Sequence, residues 1–196
     1  MEGRTELPTP SYRGTRTLEE ALVKRHSNRS FLDRPIELAA VGQLLWAGQG
    51  MRDRIGGRTT PSASRRYPLD LYILTEAGLA LYLPEGHALE TVHPEDLREP
   101  LHRAVYFQES IKEAPLIVVI TAEFARADHQ YGAARAERFV LIETGHVAQN
   151  ILLQAYAMGL AGVAFGAFKD KQVSEVLQLP PQRKPLYILS IGYSRS

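Results

Sequence analysis

The stretch from Ala133 to Met158 constrains the fold most. Val140, Val147, Ile151 and Met158 recur at helical spacing along one face, and Leu141, Ala148, Leu152 and Ala155 along a neighbouring one. A helix with two apolar faces lies either in the centre of a core or against a partner subunit. Gly159 supplies the left-handed stop at its end. The rest of the chain must therefore provide layers for this helix to pack on.

The other elements follow from local pattern. Thr17-Leu18-Glu19-Glu20 is a capping box that opens a helix through Ala21, Leu22 and Val23. Leu38, Val41, Leu44, Leu45 and Gly48 form the apolar stripe of a second helix. Leu69 to Thr75 and Leu79 to Leu83 alternate as strands joined through Glu76-Ala77-Gly78, a hairpin. Pro94 at a first helical position, with two acids after it, predicts a short helix to Ala104. Pro115 to Ile120 is an apolar run suited to a strand buried on both faces. A small-residue strand is expected from Gly162 to Ala167, a helix around Gln172 to Leu177, and a last strand from Pro185 to Ile191. Strands and helices do not alternate strictly, which predicts an α+β fold with a mixed, largely antiparallel sheet flanked by helices. Residues 1–16 read as a flexible N-terminal arm and residues 17–196 as a single domain.

Composition removes several functions. With 44% hydrophobic and 23% charged residues and a net charge of +1, the chain is an ordinary globular protein. Neither nucleic acid nor an anionic membrane is implied as a bulk partner. There is no cysteine, so disulfides, thiolate metal sites and cysteine nucleophiles are excluded. No His-x-x-x-His pair occurs, so no zinc site is expected, and no Gly-x-Ser-x-Gly supports a hydrolase nucleophile. The apolar run at 115–120 is far too short for a bilayer, and a cytoplasmic protein is expected.

Three segments remain that carry chemistry. Arg25-His26-Ser27-Asn28-Arg29 closes the first helix. By itself it reads as a solvated charge run offsetting a helix dipole. Alternatively, two guanidinium groups and a hydroxyl converge on a phosphate. Pro61-Ser62-Ala63-Ser64-Arg65 reads as a polar turn, or as a loop meeting a polyol chain or phosphate. Gly159 to Phe168 is low in bulk, which suits close backbone packing or the approach of a flat ring. Its spacing is not the dinucleotide-binding Gly-x-Gly-x-x-Gly. One ligand that needs an anion site and a flat backbone surface together is flavin mononucleotide (FMN).

On these residues the chain resembles the flavin-dependent nitroreductase family, closest to its SagB-type dehydrogenase branch. Arg-His-Ser-x-Arg followed by Phe31 is similar to the family's first flavin motif. Pro61-Ser62-Ala63 running into Tyr67-Pro68-Leu69-Asp70-Leu71-Tyr72 is similar to the second. Glu143-x-Gly145-His146-x-x-Gln149-Asn150 and Phe165-Gly166-Ala167-Phe168 resemble the branch's long helix and flavin-facing strand.

The resemblance implies FMN as cofactor. Arg25, His26 and Ser27 would stand at the phosphate and ribityl chain, and Arg29 near the pyrimidine edge. Pro61, Ser62, Ala63, Ser64 and Arg65 would form the second loop. Ala164, Phe165, Gly166 and Ala167 would pass the ring, and Arg195 would contact the phosphate. The resemblance also implies a homodimer with the long helix at its interface, and ping-pong transfer from NAD(P)H to an electron-poor acceptor such as a nitroaromatic or quinone. No residue is assigned as a catalytic acid or base. Alternatives are oxidation of a peptide-derived heterocycle and flavin binding without turnover. This chain departs from relatives at Ala164 and Gly166, where many have proline and glutamate. It also has Gln130-Tyr131 where azoline-oxidising relatives have Lys-Tyr.

Overall fold

Seven strands form one sheet in the order β1-β4-β3-β2-β5-β7-β6. They are β1 (Arg4–Glu6), β2 (Leu69–Thr75), β3 (Gly78–Leu83), β4 (Ala88–His93), β5 (Leu116–Ala122), β6 (Ala161–Phe165) and β7 (Lys184–Gly192). The helices are α1 (Leu18–Lys24), α2 (Leu38–Gln49), α3 (Arg98–Ala104), α4 (Ser110–Glu113), α5 (Ala125–Tyr131), α6 (Ala133–Ala157) and α7 (Asp170–Val176). The computed structural model describes residues 3–52 and 56–195, without the side chains of residues 129–131.

The two-layer logic is clearest on β5, which is buried along its whole length. Leu116, Val118 and Ile120 point to one face and join Leu44 and Leu45 of α2 and Val140, Val147 and Ile151 of α6. Ile117 and Val119 point to the other and join Leu101, Val105, Val173 and Leu177 around α3 and α7. A continuous apolar run is what a strand covered on both faces requires. The α+β architecture expected from the sequence is present. Every ladder between named strands is antiparallel. The parallel element is an isolated bridge between Ser27 and Gly162.

Some boundaries differ from the sequence reading. The third helix begins at Arg98 rather than Pro94, because the Asp96 carboxylate takes the Arg98 N–H at 3.0 Å and holds a turn ahead of it. Strand β4 went unread, since Glu90, Thr91 and Val92 are all exposed and give no alternation. In the segment expected to be a loose arm, Arg4–Glu6 pairs with β4. The small-residue strand ends at Phe165, with Gly166 and Ala167 just beyond it. The hairpin turn at Gly78 needs glycine: its φ is +117°, and a Cβ there would lie 2.2 Å from the His93 carbonyl. The capping box forms as read, with Glu20 N–H to Thr17 Oγ1 at 3.2 Å and Thr17 N–H to Glu20 Oε2 at 3.1 Å.

Candidate functional site

Strand β6 is the last in the sheet, so one of its edges has no strand beside it. Backbone groups alternate in direction along a strand. The Gly162 carbonyl points outward, where it accepts the Asn28 N–H at 3.1 Å. Two residues on, the Ala164 backbone N–H and C=O point the same way, and Gly166 is the next position in that series. Phe165 faces β7 through its backbone and the core through its side chain, which is 8% exposed. Phe165 therefore supports the edge, and Ala164, Gly166 and Ala167 present it.

The two glycines of this segment have different causes. A Cβ at Gly162 would stand 2.8 Å from Leu152 Cδ2 and 3.1 Å from the Ser190 carbonyl, so helix–sheet packing excludes a side chain there. At Gly166 the nearest atom to a Cβ is Tyr187 Cε2 at 3.7 Å, an ordinary contact. The fold does not require glycine at 166, and the space above it is open.

The first segment runs along this edge. Arg25 caps α1 through its backbone N–H to Ala21 O at 3.0 Å. His26 has Nδ1 3.0 Å from the Lys24 carbonyl. Ser27 bridges Gly162. The chain then pairs with the end of β7: Leu32 N–H donates to Tyr193 O at 2.9 Å, and Arg195 N–H to Ser30 O at 3.1 Å. Asn28 Nδ2 donates to Ser194 Oγ at 2.6 Å, and Arg195 Nε to Phe31 O at 3.1 Å. The Arg25 and Arg29 guanidinium groups and the Ser27 hydroxyl have no side-chain partner among the described residues. First segment, β6 edge and C-terminal segment are thus together in one chain.

The second loop sits elsewhere, against α2 and α6. Thr60 Oγ1 donates to Gly48 O at 2.6 Å, and Asn150 Nδ2 donates to Thr60 Oγ1 at 3.1 Å. The Ser62 hydroxyl, expected from sequence to meet a ligand, is engaged inside the chain. It accepts the Tyr67 N–H at 2.9 Å and donates to the buried Glu143 carboxylate. Pro61 and Ala63 flank it. Ser64, Arg65 and Tyr67 all have left-handed φ, at 49°, 56° and 48°, which is strained for residues with side chains. The hydrogen bonds of Thr60 and Ser62 tie this loop to α2 and α6. Helix α6 touches both groups, through Glu143 at the loop and through Leu152 under Gly162.

The loop borders a cavity of about 220 Å³ lined by Arg52, Arg58, Thr59, Pro61, Ser62, Arg65 and Tyr67. Arg58 donates to Gln49 Oε1 at 3.1 Å and to Glu85 at 2.9 Å, and lies 4.7 Å over the Tyr67 ring. Burial pushes the Glu143 carboxyl up, partly offset by hydrogen bonds from Ser62 and Gln49 and by the charge of Arg58. Sequence reasoning did not single out Arg58 or Tyr67 as site residues. It quoted Glu143 only within the helix motif. The arginine-rich stretch before Pro61 was the available signal. The side chains of Gln130 and Tyr131 lie outside the described residues.

Comparison with known proteins identifies the family. The Nitroreductase family pattern matches residues 22–193. The "Putative nitroreductase MJ1384" of Methanocaldococcus jannaschii is 35% identical over 181 residues, which cover 89% of this chain and 90% of that one. The oxygen-insensitive NADPH nitroreductase of Salmonella typhimurium is 32% identical over 104 residues, covering 50% of this chain and 43% of that one. The crystal structure of a "putative nitroreductase" from Ralstonia eutropha superposes with a TM-score of 0.90 at 31% identity, covering 100% of this chain and 91% of that one. The chain belongs to the nitroreductase family, whose enzymes are FMN- and NAD(P)H-linked oxidoreductases. Among the described residues no helix is long and apolar enough to cross a membrane, and no cluster of His, Asp or Glu could hold a metal ion.

Proposed function

We propose that this chain is an FMN-dependent reductase that passes hydride from NAD(P)H to an electron-poor small molecule such as a nitroaromatic or quinone, by ping-pong turnover at one site. The observation that carries the reading is the bridge between Ser27 and Gly162. It brings the backbone of the segment that carries Arg25 and Arg29 to the edge of β6, which supports a site with cations for a flavin phosphate and a backbone edge for its ring.

The residues fit the group. Arg25, His26 and Ser27 would hold the phosphate and ribityl chain by charge-assisted bonds. Arg29 would place positive charge at the pyrimidine edge, where it favours the reduced state. The Ala164 and Gly166 backbone would orient the ring edge. FMN, when bound, supplies the hydride chemistry, and the protein supplies position and electrostatics. Arg195 is tied by backbone and Nε to residues 30 and 31. It buttresses the first segment and lies within reach of the same anion.

The second loop completes the site in a homodimer, entering from the other copy. Two observations support this. The loop is built and strained, and its Thr60 and Ser62 hydrogen bonds run to α2 and α6. Leu18, Leu22 and Val23 of α1 and Leu141 and Ile142 of α6 are exposed by half or more, a large apolar surface for a lone chain. Leu141 and Ile142 of α6 would then lie at the interface, while Ala148, Leu152 and Ala155 of its second apolar face are buried within the chain.

Placement in the SagB-type branch rests on Glu143 to Asn150 and the flavin strand. In that reading a peptide-derived heterocycle takes the place of NAD(P)H as the hydride donor, and an electron acceptor such as a quinone reoxidises the flavin. The experiment is anaerobic mixing of the flavin-loaded protein with NADH or NADPH, followed by a nitroaromatic or quinone. Bleaching of the flavin band by a nicotinamide and its recovery on adding acceptor is expected. Failure of both nicotinamides to bleach would overturn the reductase reading in favour of the heterocycle oxidase or a binding protein.

A further inference from the structure

An apolar cavity lies away from the candidate flavin cradle. It holds about 320 Å³ at the opposite end of β2 from the second loop, between the hairpin turn, residues 33–38 and the start of β5. Leu69 to Thr75 spans roughly 20 Å at the usual strand rise. Its walls are apolar, from Ile36, Leu38, Val41, Ile73, Ala80 and Leu116. The volume is about twice the ~150 Å³ that accepts a benzene in an engineered core, and it lies within the range of small-molecule sites.

The rim carries the chemical information. Asp33, Glu76 and Arg98 are its charged groups. Arg98 is committed: Nε lies 3.0 Å from both Asp96 oxygens, Nη2 lies 2.7 Å from Oδ2, and Nη1 reaches Ala114 O at 3.3 Å. Asp33 and Glu76 have neither an ion pair nor a hydrogen bond among the described residues. The positive end of α2 at Leu38 is already faced by Glu37 at its N-cap position. Arg98 feels both carboxylates at longer range, but its direct bonds go to Asp96, so the mouth carries an excess of negative charge above an apolar interior.

We propose that this cavity is a second ligand site, separate from the flavin cradle, that takes a small hydrophobic amine. The aliphatic or aromatic body fills the pocket and the ammonium group meets Asp33 and Glu76. An alcohol of the same body gains only the apolar contact, and a carboxylate is repelled at the mouth. This inference does not depend on the flavin reading.

The test titrates the full chain as purified with n-hexylamine, n-hexanol and n-hexanoate, following the backbone amide NMR signals of Ile73, Ala80 and Leu116. Hexylamine is expected to shift these signals saturably and to bind about tenfold tighter than hexanol, the upper scale of two exposed ion pairs. Hexanoate is expected to bind weakest. The double variant Asp33→Asn, Glu76→Gln brings the amine down to the affinity of the alcohol. Ala80→Phe, which fills the pocket, abolishes binding of both. The proposal is overturned if hexanol binds as well as hexylamine, if the carboxamide variant keeps the amine preference, or if a folded Ala80→Phe protein still binds. Should Ala80→Phe fail to fold, the carboxamide variant decides.

Discussion

Glycines 162 and 166 stand four residues apart on one segment, yet the structure assigns them opposite roles, which makes a sharp experiment. A methyl group at 162 would sit 2.8 Å from Leu152 Cδ2 and 3.1 Å from a β7 carbonyl. Overpacking of this kind costs about 1–3 kcal/mol. For a chain of this size that lowers Tm by roughly 3–9 °C. At 166 a methyl meets only Tyr187 at 3.7 Å, and the residue is not among the left-handed glycines. Gly166→Ala should therefore shift apo stability by less than about 1 kcal/mol, with a small gain allowed from reduced chain entropy. Gly166→Val puts branched bulk at the open edge of β6 and should weaken flavin binding at least tenfold, about 1.4 kcal/mol. The assay is thermal unfolding of flavin-stripped protein by circular dichroism, then flavin titration by fluorescence quenching. The expected pattern is a crossed one: Gly162→Ala loses stability, and Gly166→Val keeps its fold and loses flavin. Unchanged flavin affinity in Gly166→Val would refute the placement of the ring. An apo Tm as low as that of Gly162→Ala would refute the packing argument.

Arg25→Ala should weaken flavin retention by about 2 kcal/mol, with Arg25→Lys between the two, because lysine keeps the charge and loses the paired N–H geometry; equilibrium dialysis against FMN measures it. Glu143 has its carboxyl raised by burial above the ordinary 4.5, so its contribution is whole below that pH and is lost as pH rises through the raised value. Thermal scans should then show Glu143→Gln gaining on the parent protein across that window and holding a constant advantage above it. His87 is held below its ordinary 6.5 by burial, while Nε2 lies 3.0 Å from Pro8 O and Nδ1 lies 2.9 Å from the Tyr82 hydroxyl. Its contribution is present above 6.5 and is lost as pH falls through the lowered value, so amide-exchange protection at Leu7, whose N–H donates to His87 O, should drop under acid.

How much of this was legible depended on whether the signal was local. The capping box at Thr17, the stripe on α2 and the apolar run of β5 are set by neighbours in sequence, and each appears where the pattern puts it. The start of α3 was misplaced because an Asp96 side chain competes with Pro94 for the turn. Strand β4 was missed because its outer half faces solvent and only pairing with β1 and β3 holds it. At the candidate site, the sequence marked the segments but not their division. That Arg25 to Arg29 meets Gly162, and that Ser62 turns inward to Glu143, are contacts across 135 and 81 positions respectively (162−27 and 143−62). No short-range pattern encodes such contacts. The resemblance to a family supplied the grouping that periodicity did not.

On the proposed reading, the second loop is a site half built before its ligand arrives. Left-handed backbone at Ser64, Arg65 and Tyr67 costs on the order of 1–3 kcal/mol per residue and persists only where the surroundings over-determine it. Here they do. The Ser62 hydroxyl pins the Tyr67 N–H, and the Tyr67 hydroxyl takes the Arg58 N–H at 3.1 Å. Arg126 reaches the Tyr67 carbonyl at 3.4 Å while it grips Asp70 with two bonds of 3.0 Å. Beneath them Glu143 accepts from Ser62 and from Gln49 at 3.4 Å. A buried carboxylate is a costly support, and a plain polar turn needs none. The cost is understandable if the loop must hold its shape while its face is still empty, since a ligand bound by a preformed loop does not lose affinity to ordering it. The same helix that carries Glu143 packs Leu152 under the β6 edge, so one rigid element fixes the position of both halves.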